Sequence, residues 1–212
     1  MRMRKKPNLI PRMEKCASVQ ELEPESRRGR WLCGREEKRL HVELGCGKGR
    51  FTCGTAAVET DALLVAAERV PDAMVVGMER AVDAELKNVL FVDIDAARLL
   101  EIFAPAEADR IYINFCDPWL KKRQYKRRLT APGFLALYRE ILKPGGEIWF
   151  KTDNSPLFEW SLEQFETCGF ELHEVTRDLH ADGPVGVMTD YEAKFYGEGL
   201  PINRCVAKMK EG

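Results

Sequence analysis

Short apolar stretches alternate with stretches that favour helices along most of this chain. Seven stretches predict strands, because they are short, apolar and rich in β-branched or aromatic residues; they cover 40–44, 61–68, 88–92, 110–116, 147–151, 170–176 and 203–209. Helices are predicted over 50–60, 71–87, 95–103, 132–142 and 155–167, with a helical turn over 191–196. The propensities of 61–68 fit a strand or a helix, and we interpret it as a strand because it ends in an acid shortly before a proline.

Strands that alternate with helices predict a doubly wound α/β domain with a mainly parallel sheet. The stretch between 170–176 and 203–209 has no obvious crossover helix, which favours an antiparallel last strand. Ligands of such folds bind outside the carboxyl ends of the strands, where the strand order reverses. The candidate functional residues are therefore the polar ones that follow the predicted strands.

Residues 1–37 lack this alternation. The segment has a basic start, M-R-M-R-K-K-P, three prolines and a second group of cations at 27–30. We expect an irregular arm that lies on the domain and is not part of the sheet. The predicted organisation is an N-terminal arm, 1–37, followed by one α/β domain, 38–212.

The composition is that of a globular protein, since 45% of the 212 residues are hydrophobic and 32% are charged. The chain contains no run of about 18 apolar residues, so no transmembrane helix is predicted. The basic start lacks the apolar core of a secretory signal. The seven cysteines have no C-x-x-C spacing, and the chain has only three histidines, so we expect no metal site. These features favour a cytoplasmic protein with reduced thiols and no membrane partner. They leave open whether it is a monomer or a homodimer.

The formal net charge is only −1, but the cations are clustered. Eight residues, 121–128, contain six cations together with Tyr125. Such a patch can bind a nucleic acid even when the total charge is near zero, because the local field governs binding. Tyr125 would then stack on a base. The alternative is a solvated loop after an ordinary strand, with Tyr125 packed beneath it.

Asp117 directly precedes this basic tract. Pro118 cannot continue a central strand, so we expect Asp117 at the tip of the strand 110–116. An acid beside a basic tract favours a reactive site next to a polyanion-binding surface, although a carboxylate in a simple salt bridge also fits. Trp119 fits equally a structural anchor beside Asp117 and a platform for a base.

A glycine loop, G-C-G-K-G, follows the first predicted strand and contains Gly45, Gly47 and Gly49. Glycines allow a ligand to lie against the backbone where a Cβ atom would collide. The spacing is not the G-x-G-x-x-G of dinucleotide sites, since Arg50 takes the place of the third glycine, and it is not that of a P-loop. The carboxylate of Glu43 suits a cationic or amino-bearing ligand. S-adenosyl-L-methionine has an amino group, a sulfonium and no phosphate, and it fits this loop.

Two further acids follow the next two predicted strands. Glu68 lies where an acid can accept hydrogen bonds from both ribose hydroxyls; the alternative is a surface glutamate. Asp95 can accept from the adenine amine or cap the following helix, and Asp93 is its local competitor. Together with Glu43, these acids favour a nucleoside-bearing cofactor more strongly than any one of them does alone.

Several motifs together resemble the bacterial tRNA (guanine-N7-)-methyltransferases. They are M-R-M-R-K-K-P, V-E-L-G-C-G-K-G-R-F, D-I-D-A, Y-I-N-F-C-D-P-W-L-K-K-R with K-R-R-L-T, F-K-T-D-N and M-T-D-Y-E-A-K-F, in the order of that family. The D-P-W-x-K segment with K-R-R is highly specific, whereas the glycine loop alone indicates only a class I methyltransferase. The resemblance spans nearly the whole chain. It implies a seven-stranded sheet and methyl transfer from S-adenosyl-L-methionine to N7 of the guanosine at position 46, in the variable loop of tRNA.

The resemblance also implies roles for individual residues. The implied cofactor contacts are Glu43, Glu68, Asp95 and Asp117. The implied substrate contacts are Lys121, Asp153, Thr189, Asp190, Tyr191 and Glu192. The basic tract, with Arg123, Lys126, Arg127 and Arg128, is implied to contact RNA. Leu120 and Gln124 differ from the residues that the family often has at these two positions. The differences bear on how this loop contacts RNA and not on the activity.

The implied chemistry needs no strong base, because N7 of guanine already carries an in-plane lone pair. A carboxylate near the base is expected to stabilise the positive charge that arrives on the purine. Asp117 is the first candidate for this role and Asp153 is the second. Asp153 could instead accept from N1–H and N2–H₂ of guanine, or cap the helix that begins near Pro156.

Three other classes of protein fit parts of the pattern. An NAD-dependent oxidoreductase fits the alternation of strands and helices but not the spacing of the glycines. A non-enzymatic RNA-binding module explains the basic tract but not the acids at the strand ends. A methyltransferase with another substrate would share the cofactor residues and differ at 117–128 and 189–192.

Overall fold

The computed structural model describes residues 6–210, which form a seven-stranded sheet. The strands are β1 (Arg39–Leu44), β2 (Ala62–Ala67), β3 (Val89–Val92), β4 (Ala108–Asn114), β5 (Leu142–Thr152), β6 (Phe170–Thr176) and β7 (Asn203–Met209). Their order across the sheet is β3-β2-β1-β4-β5-β7-β6. The first five strands run parallel, and β7 runs antiparallel to β5 and β6. The predicted α/β fold and the antiparallel last strand are confirmed.

Helices cover both faces of the parallel part of the sheet. The α-helices of the described residues are α1 (Leu9–Lys15), α2 (Arg50–Val58), α3 (Pro71–Asp83), α4 (Leu99–Ile102), α5 (Pro132–Ile141), α6 (Ser155–Thr167) and α7 (Asp190–Gly197). In β2, Leu63 and Val65 pack in one apolar layer with α4, α5 and α6, while Leu64 and Ala66 pack in the other with α2 and α3. Burial on both faces explains why the central strands are apolar at nearly every position. None of the described helices is long and apolar enough to cross a membrane.

The segment before β1 is more regular than predicted. It contains α1, which packs on α3. Gln20 forms a bridge with Phe91 of β3, so this segment pairs with an edge strand of the sheet. Trp31 is buried, and its indole N–H donates to the carbonyl of Ile102 at 2.8 Å. The described residues of this segment are therefore less irregular than expected and meet the sheet at an isolated bridge, while the basic start at 1–5 lies outside the described residues.

Several element boundaries differ from the prediction, and backbone conformation explains two of the differences. β4 ends at Asn114 instead of 116, because Phe115 is left-handed with a φ of 53°. Helix α3 ends at Asp83 instead of 87, since Glu85 has a φ of 52°. β5 begins at Leu142 instead of 147, so it includes Pro144, Gly145 and Gly146.

The glycine loop after β1 lies directly against α3. Gly49 has a φ of 70°, and a Cβ atom added to it would lie 2.6 Å from Cα of Gly77. Gly47 also has a positive φ, 56°, but an added Cβ would meet nothing within 4 Å. The loop and the helix can approach this closely because two glycines face each other.

We expect Gly49→Ala to lower the free energy of unfolding by about 3 kcal/mol, because the left-handed conformation and the collision with Gly77 both add a cost. Gly47→Ala is the matched control, since it has the unfavourable conformation without the collision and should cost about 1 kcal/mol. Urea-induced unfolding of both variants measures the difference. Equal losses would contradict the argument from close approach.

Candidate functional site

Two adjoining cavities open at the carboxyl edge of the parallel strands, where β1 and β4 are neighbours and the strand order reverses. Cavity A has a volume of about 420 Å³ and cavity B of about 480 Å³. The residues that line both cavities are Gly45, Glu68, Val70, Asn114, Phe115 and Asp117. Asp117 therefore lies where the two cavities meet.

Glu68 and Asp95 line cavity A. Glu68 follows β2, and its carboxylate accepts from the backbone N–H groups of Gly47, Arg69 and Val70 at 2.9, 2.8 and 2.9 Å. Asp95 follows β3, accepts from the backbone N–H of Ala97 at 2.9 Å and pairs with Arg69 at 2.6 Å. Asp95 thus caps the helix that follows it, which was the alternative to an adenine contact, and it also borders cavity A. A carboxylate has about four acceptor sites, so both acids keep sites for ligand donors.

Glu43 lies beneath the glycine loop and is only 2% exposed. Its carboxylate accepts hydrogen bonds from the hydroxyl of Thr52 and from the amide of Asn114. Burial raises the pKa of Glu43, while the two hydrogen bonds and the charge of Lys151 oppose the rise. Glu43 therefore places a carboxyl group under cavity B, with both oxygens held by protein donors.

Asp117 is exposed and lies three residues beyond the end of β4, not at the tip of the strand as predicted. Phe115 before it and Trp119 after it both have a positive φ, 53° and 42°. Non-glycine residues rarely adopt this conformation, and those that do cluster at functional sites. A strained turn thus carries Asp117 to the junction of the cavities.

The groups around cavity A fit S-adenosyl-L-methionine. Glu68 keeps an acceptor site for a ribose hydroxyl, and Ile94 and Phe115 offer an apolar surface for a purine ring. Gly45, which lines both cavities, and Gly47, which lines cavity B, have left-handed backbones and open space where a Cβ would lie, which leaves room for the amino-acid part of the ligand. Within 6–210, no group of three or more His, Cys, Asp or Glu side chains could hold a metal ion.

The start of α7 forms one wall of cavity B. The charged and polar residues that line cavity B but not cavity A include Thr189, Asp190, Tyr191, Lys48, Arg50 and Lys194. Asp190 is paired with Arg80 at 3.0 Å, so protein charge already compensates this acid. The three cations suit an anionic substrate such as a nucleotide.

Glu192 lies apart from the other predicted contacts of this segment. It is fully buried and lines neither cavity. Its carboxylate contacts Nζ of Lys151 at 2.6 Å, Nε2 of His180 at 3.1 Å and the backbone N–H of Thr189 at 3.1 Å. The prediction that Glu192 contacts the substrate conflicts with this burial, because protein donors already surround the carboxylate.

The basic tract forms a short 3₁₀ helix, Lys122–Arg127, and Arg127 borders cavity A. The exposed cations of the tract are Lys121, Lys122, Arg123, Lys126 and Arg127. Arg128 is only 3% exposed; its Nε donates to the carbonyl of Pro118 at 2.8 Å, and its guanidinium lies 3.5 Å from the ring centre of Tyr125. The prediction that Arg128 contacts RNA conflicts with this burial. Tyr125 packs beneath the loop, as in the structural alternative.

Asp153 follows β5, is exposed and lines neither cavity. The residue that caps α6 is Asn154, whose side chain accepts from the backbone N–H of Leu157 at 2.8 Å. The capping alternative for Asp153 is therefore wrong. Of the two acids considered for the reaction, Asp117 is the one at the cavity junction.

Sequence reasoning missed several residues that line the cavities. The apolar run predicts a buried strand residue at Phe115, because the residue type does not reveal a left-handed backbone. The glycine spacing gives no role to Lys48 and Arg50, although their position after β1 places them at its carboxyl edge. Lys194 belongs to the motif M-T-D-Y-E-A-K-F and could have been found from it.

Cys46 borders cavity B and Cys116 borders cavity A, but neither has the properties of a nucleophile. Burial raises the pKa of Cys46 well above its ordinary value and that of Cys116 to about 12. Both thiols are protonated at neutral pH, whereas the thiolate is the reactive form. Covalent catalysis by cysteine is therefore disfavoured at this site.

The three relatives described here are named for the same activity. Residues 37–205 match a family model described as "Putative methyltransferase". A tRNA (guanine-N(7)-)-methyltransferase of Halalkalibacterium halodurans is 42% identical over 99% of this chain and 96% of its own length. Proteins of the same name from Streptococcus suis and Geobacillus thermodenitrificans are 44% and 42% identical, over 88% and 98% of this chain and 89% and 97% of their own.

Solved structures share the fold at low sequence identity. An antibiotic-related methyltransferase gives a TM-score of 0.62 at 16% identity and covers 98% of this chain and 96% of its own. The 16S rRNA methyltransferase KamB gives 0.62 at 13% identity, over 82% and 89%. These likenesses confirm the class I methyltransferase fold. Because the family model covers most of the chain and relatives above 40% identity cover nearly all of it, this protein belongs to the tRNA (guanine-N(7)-)-methyltransferase family.

Proposed function

We propose that this protein transfers the methyl group of S-adenosyl-L-methionine to N7 of the guanosine at position 46 in the variable loop of tRNA. The observation that carries the proposal is the position of Asp117, which lines both a cavity that fits the cofactor and a cavity bordered by cations. The names of the relatives support tRNA as the substrate and N7 of guanine as the acceptor. Since tRNA is a cytoplasmic molecule in bacteria, we also propose a cytoplasmic location.

S-adenosyl-L-methionine supplies an electrophilic methyl group when bound. We assign its ribose to Glu68, its adenine to the surface beside Asp95, and its amino-acid part to the glycine loop. The buried carboxyl group of Glu43, beneath that loop, favours the amino group of the ligand. Asp117 completes the cofactor contacts at the opening between the cavities.

The nucleotide enters cavity B in this proposal, with its base beside Asp117 and bounded by Thr189, Asp190 and Tyr191. N7 of guanine needs no deprotonation, so the main task of the protein is to hold N7 in line with the methyl group at near-attack distance. Phe115 lines both cavities and can restrict how far the base moves.

Positive charge moves onto the purine as the methyl group is transferred. A fixed carboxylate beside the base stabilises this charge in the transition state. Asp117 is better placed for this than Asp153, because Asp153 lines neither cavity. Asp153 remains a candidate for recognition of the guanine edge.

The exposed cations of the basic tract, Lys121, Arg123, Lys126 and Arg127, are proposed to bind tRNA phosphates. Arg127 also packs 5.1 Å from the ring centre of Trp119, so the tract is attached to the turn that carries Asp117. Phosphate binding by this tract would therefore bring RNA to the mouth of the site. In folded tRNA the target base makes tertiary contacts, so some local opening accompanies binding.

We expect Asp117→Asn to lower kcat about 100-fold or more, because the amide cannot stabilise positive charge on the purine. Binding of tRNA should change little. Asp153→Asn, at the next strand end, should keep kcat within about threefold and act mainly on the KM for tRNA. Steady-state transfer of a labelled methyl group measures both, and a larger loss of kcat in Asp153→Asn would reverse the two roles.

We expect the replacement of Lys121, Arg123 and Lys126 by Ala to weaken tRNA binding and to reduce the slope of log affinity against log salt by about 2 to 3. Filter binding at several salt concentrations measures this slope. Arg128→Ala is the control from the same tract. It should leave the slope unchanged and lower the free energy of unfolding by about 2 kcal/mol, because the buried guanidinium bonds and packs within the protein. An unchanged slope in the triple variant would remove the tract from the RNA interface.

We expect an unmodified tRNA transcript with guanosine at position 46 to gain one N7-methylguanosine, and the same transcript with adenosine at that position to gain none. Mass mapping of nuclease fragments locates the modified nucleoside. Methylation of N7 at another position would retain the activity and correct the proposed position. No transfer to tRNA by the wild-type protein would reject the proposed function.

A further inference from the structure

A buried polar cluster joins the end of the sheet to the wall of cavity B. Lys151 lies near the end of β5, His180 in the connection after β6, and Glu192 in the first turn of α7. Their exposed fractions are 8%, 6% and 0%. We call this cluster the brace.

Glu192 is the centre of the brace. Its Oε2 accepts from Nζ of Lys151 at 2.6 Å and from the backbone N–H of Thr189 at 3.1 Å, and its Oε1 contacts Nε2 of His180 at 3.1 Å. Nζ of Lys151 also donates to the carbonyl of Val187 at 3.2 Å. These contacts take up both oxygens of the carboxylate, which lines neither cavity.

The hydrogen bonds also define the form of His180. The backbone N–H of Val185 donates to Nδ1 of His180 at 3.1 Å, so Nδ1 is an acceptor. Nε2 therefore carries the hydrogen and donates it to Glu192. A neutral imidazole satisfies both contacts, and the brace needs no second positive charge.

The brace provides the buried attachment of α7. Glu192 is the buried residue of this helix, whose other described side chains are exposed or half-buried. The backbone at 185–189 is attached to the same cluster through Val185, Val187 and Thr189. The wall of cavity B, Thr189 to Tyr191, is therefore held by a buried polar contact with β5, together with the Asp190–Arg80 ion pair and the packing of Phe195 against Phe115.

A buried ion pair is a poor source of stability, since apolar residues of similar size often do as well or better. Burial lowers the pKa of Lys151, and the carboxylates of Glu192 and Glu43 oppose this shift. The value of such a pair lies in its directional bonds, which define one position for the attached segment.

We propose that Lys151, His180 and Glu192 are positioning residues that fix the Thr189–Tyr191 wall of the substrate cavity, and that Glu192 itself does not contact the nucleotide. The inference rests on the proposed function in one respect, namely that cavity B receives the nucleotide. It differs from the role that the resemblance implied for Glu192 and adds two residues to which the resemblance gave no role.

A double-mutant cycle separates positioning from direct contact. The variants are Lys151→Met, Glu192→Met and the pair combined, measured by methyl transfer to tRNA and by titration with S-adenosylhomocysteine. Each single variant should raise the KM for tRNA about tenfold, while kcat and the affinity for S-adenosylhomocysteine stay within about threefold. The combined variant should be no worse than either single one, because both substitutions break the same contact.

Arg177→Met is the matched control. It removes an exposed ion pair, 2.7 Å between Arg177 and Glu159, near the start of the same connection, and it should leave the KM for tRNA unchanged. Effects that multiply in the combined variant, or a wild-type KM in Lys151→Met beside a raised KM in Glu192→Met, would overturn the proposal in favour of direct contact. Loss of active protein with an unchanged KM would show a purely structural role and would also overturn it.

If Lys151→Met does not fold, the combined variant and His180→Phe carry the test, because neither leaves an unpaired buried charge. A wild-type KM for tRNA in both would overturn the proposal, and a raised KM in both would support it. A wild-type protein that binds S-adenosylhomocysteine but transfers no methyl group to tRNA would reject the proposed function, which is a separate result.

Discussion

The buried carboxylate of Glu43 joins the elements from which both cavities are built. It lies on β1 and accepts from Thr52 of α2 and from Asn114 of β4. A buried carboxylate that loses its donors becomes strongly destabilising, so α2 and β4 are constrained relative to β1. The glycine loop between β1 and α2 is fixed as a result, and the contact of Gly49 with Gly77 then sets the distance to α3.

The acids around the cofactor cavity could be predicted because their positions follow from simple rules. Apolar runs end where strands end, and parallel strands end at the same edge of a sheet. Glu68, Asp95 and Asp117 come together for this reason, although they are far apart along the chain. The exact place of Asp117 could not be predicted, because it depends on the left-handed backbone of Phe115.

The sequence does not reveal which charged side chains are buried. Arg127 and Arg128 are neighbours of the same type, yet only Arg128 is buried, since the rings of Tyr125 and Trp160 meet it there. Glu192 likewise depends on partners from two other elements. Helix α1 was missed because seven residues are too few for a stable isolated helix, and packing on α3 supports it.

The two left-handed residues beside Asp117 have a consequence for how this protein can adapt to heat. An L-residue in that conformation costs about 1–2 kcal/mol relative to glycine, so Phe115 and Trp119 reduce the stability of the fold at the site of reaction. Glycine at either position would relieve the strain, but it would also remove a side chain from the cavity wall and loosen the turn. Selection for thermal tolerance and selection for catalytic rate therefore act in opposite directions on this one turn.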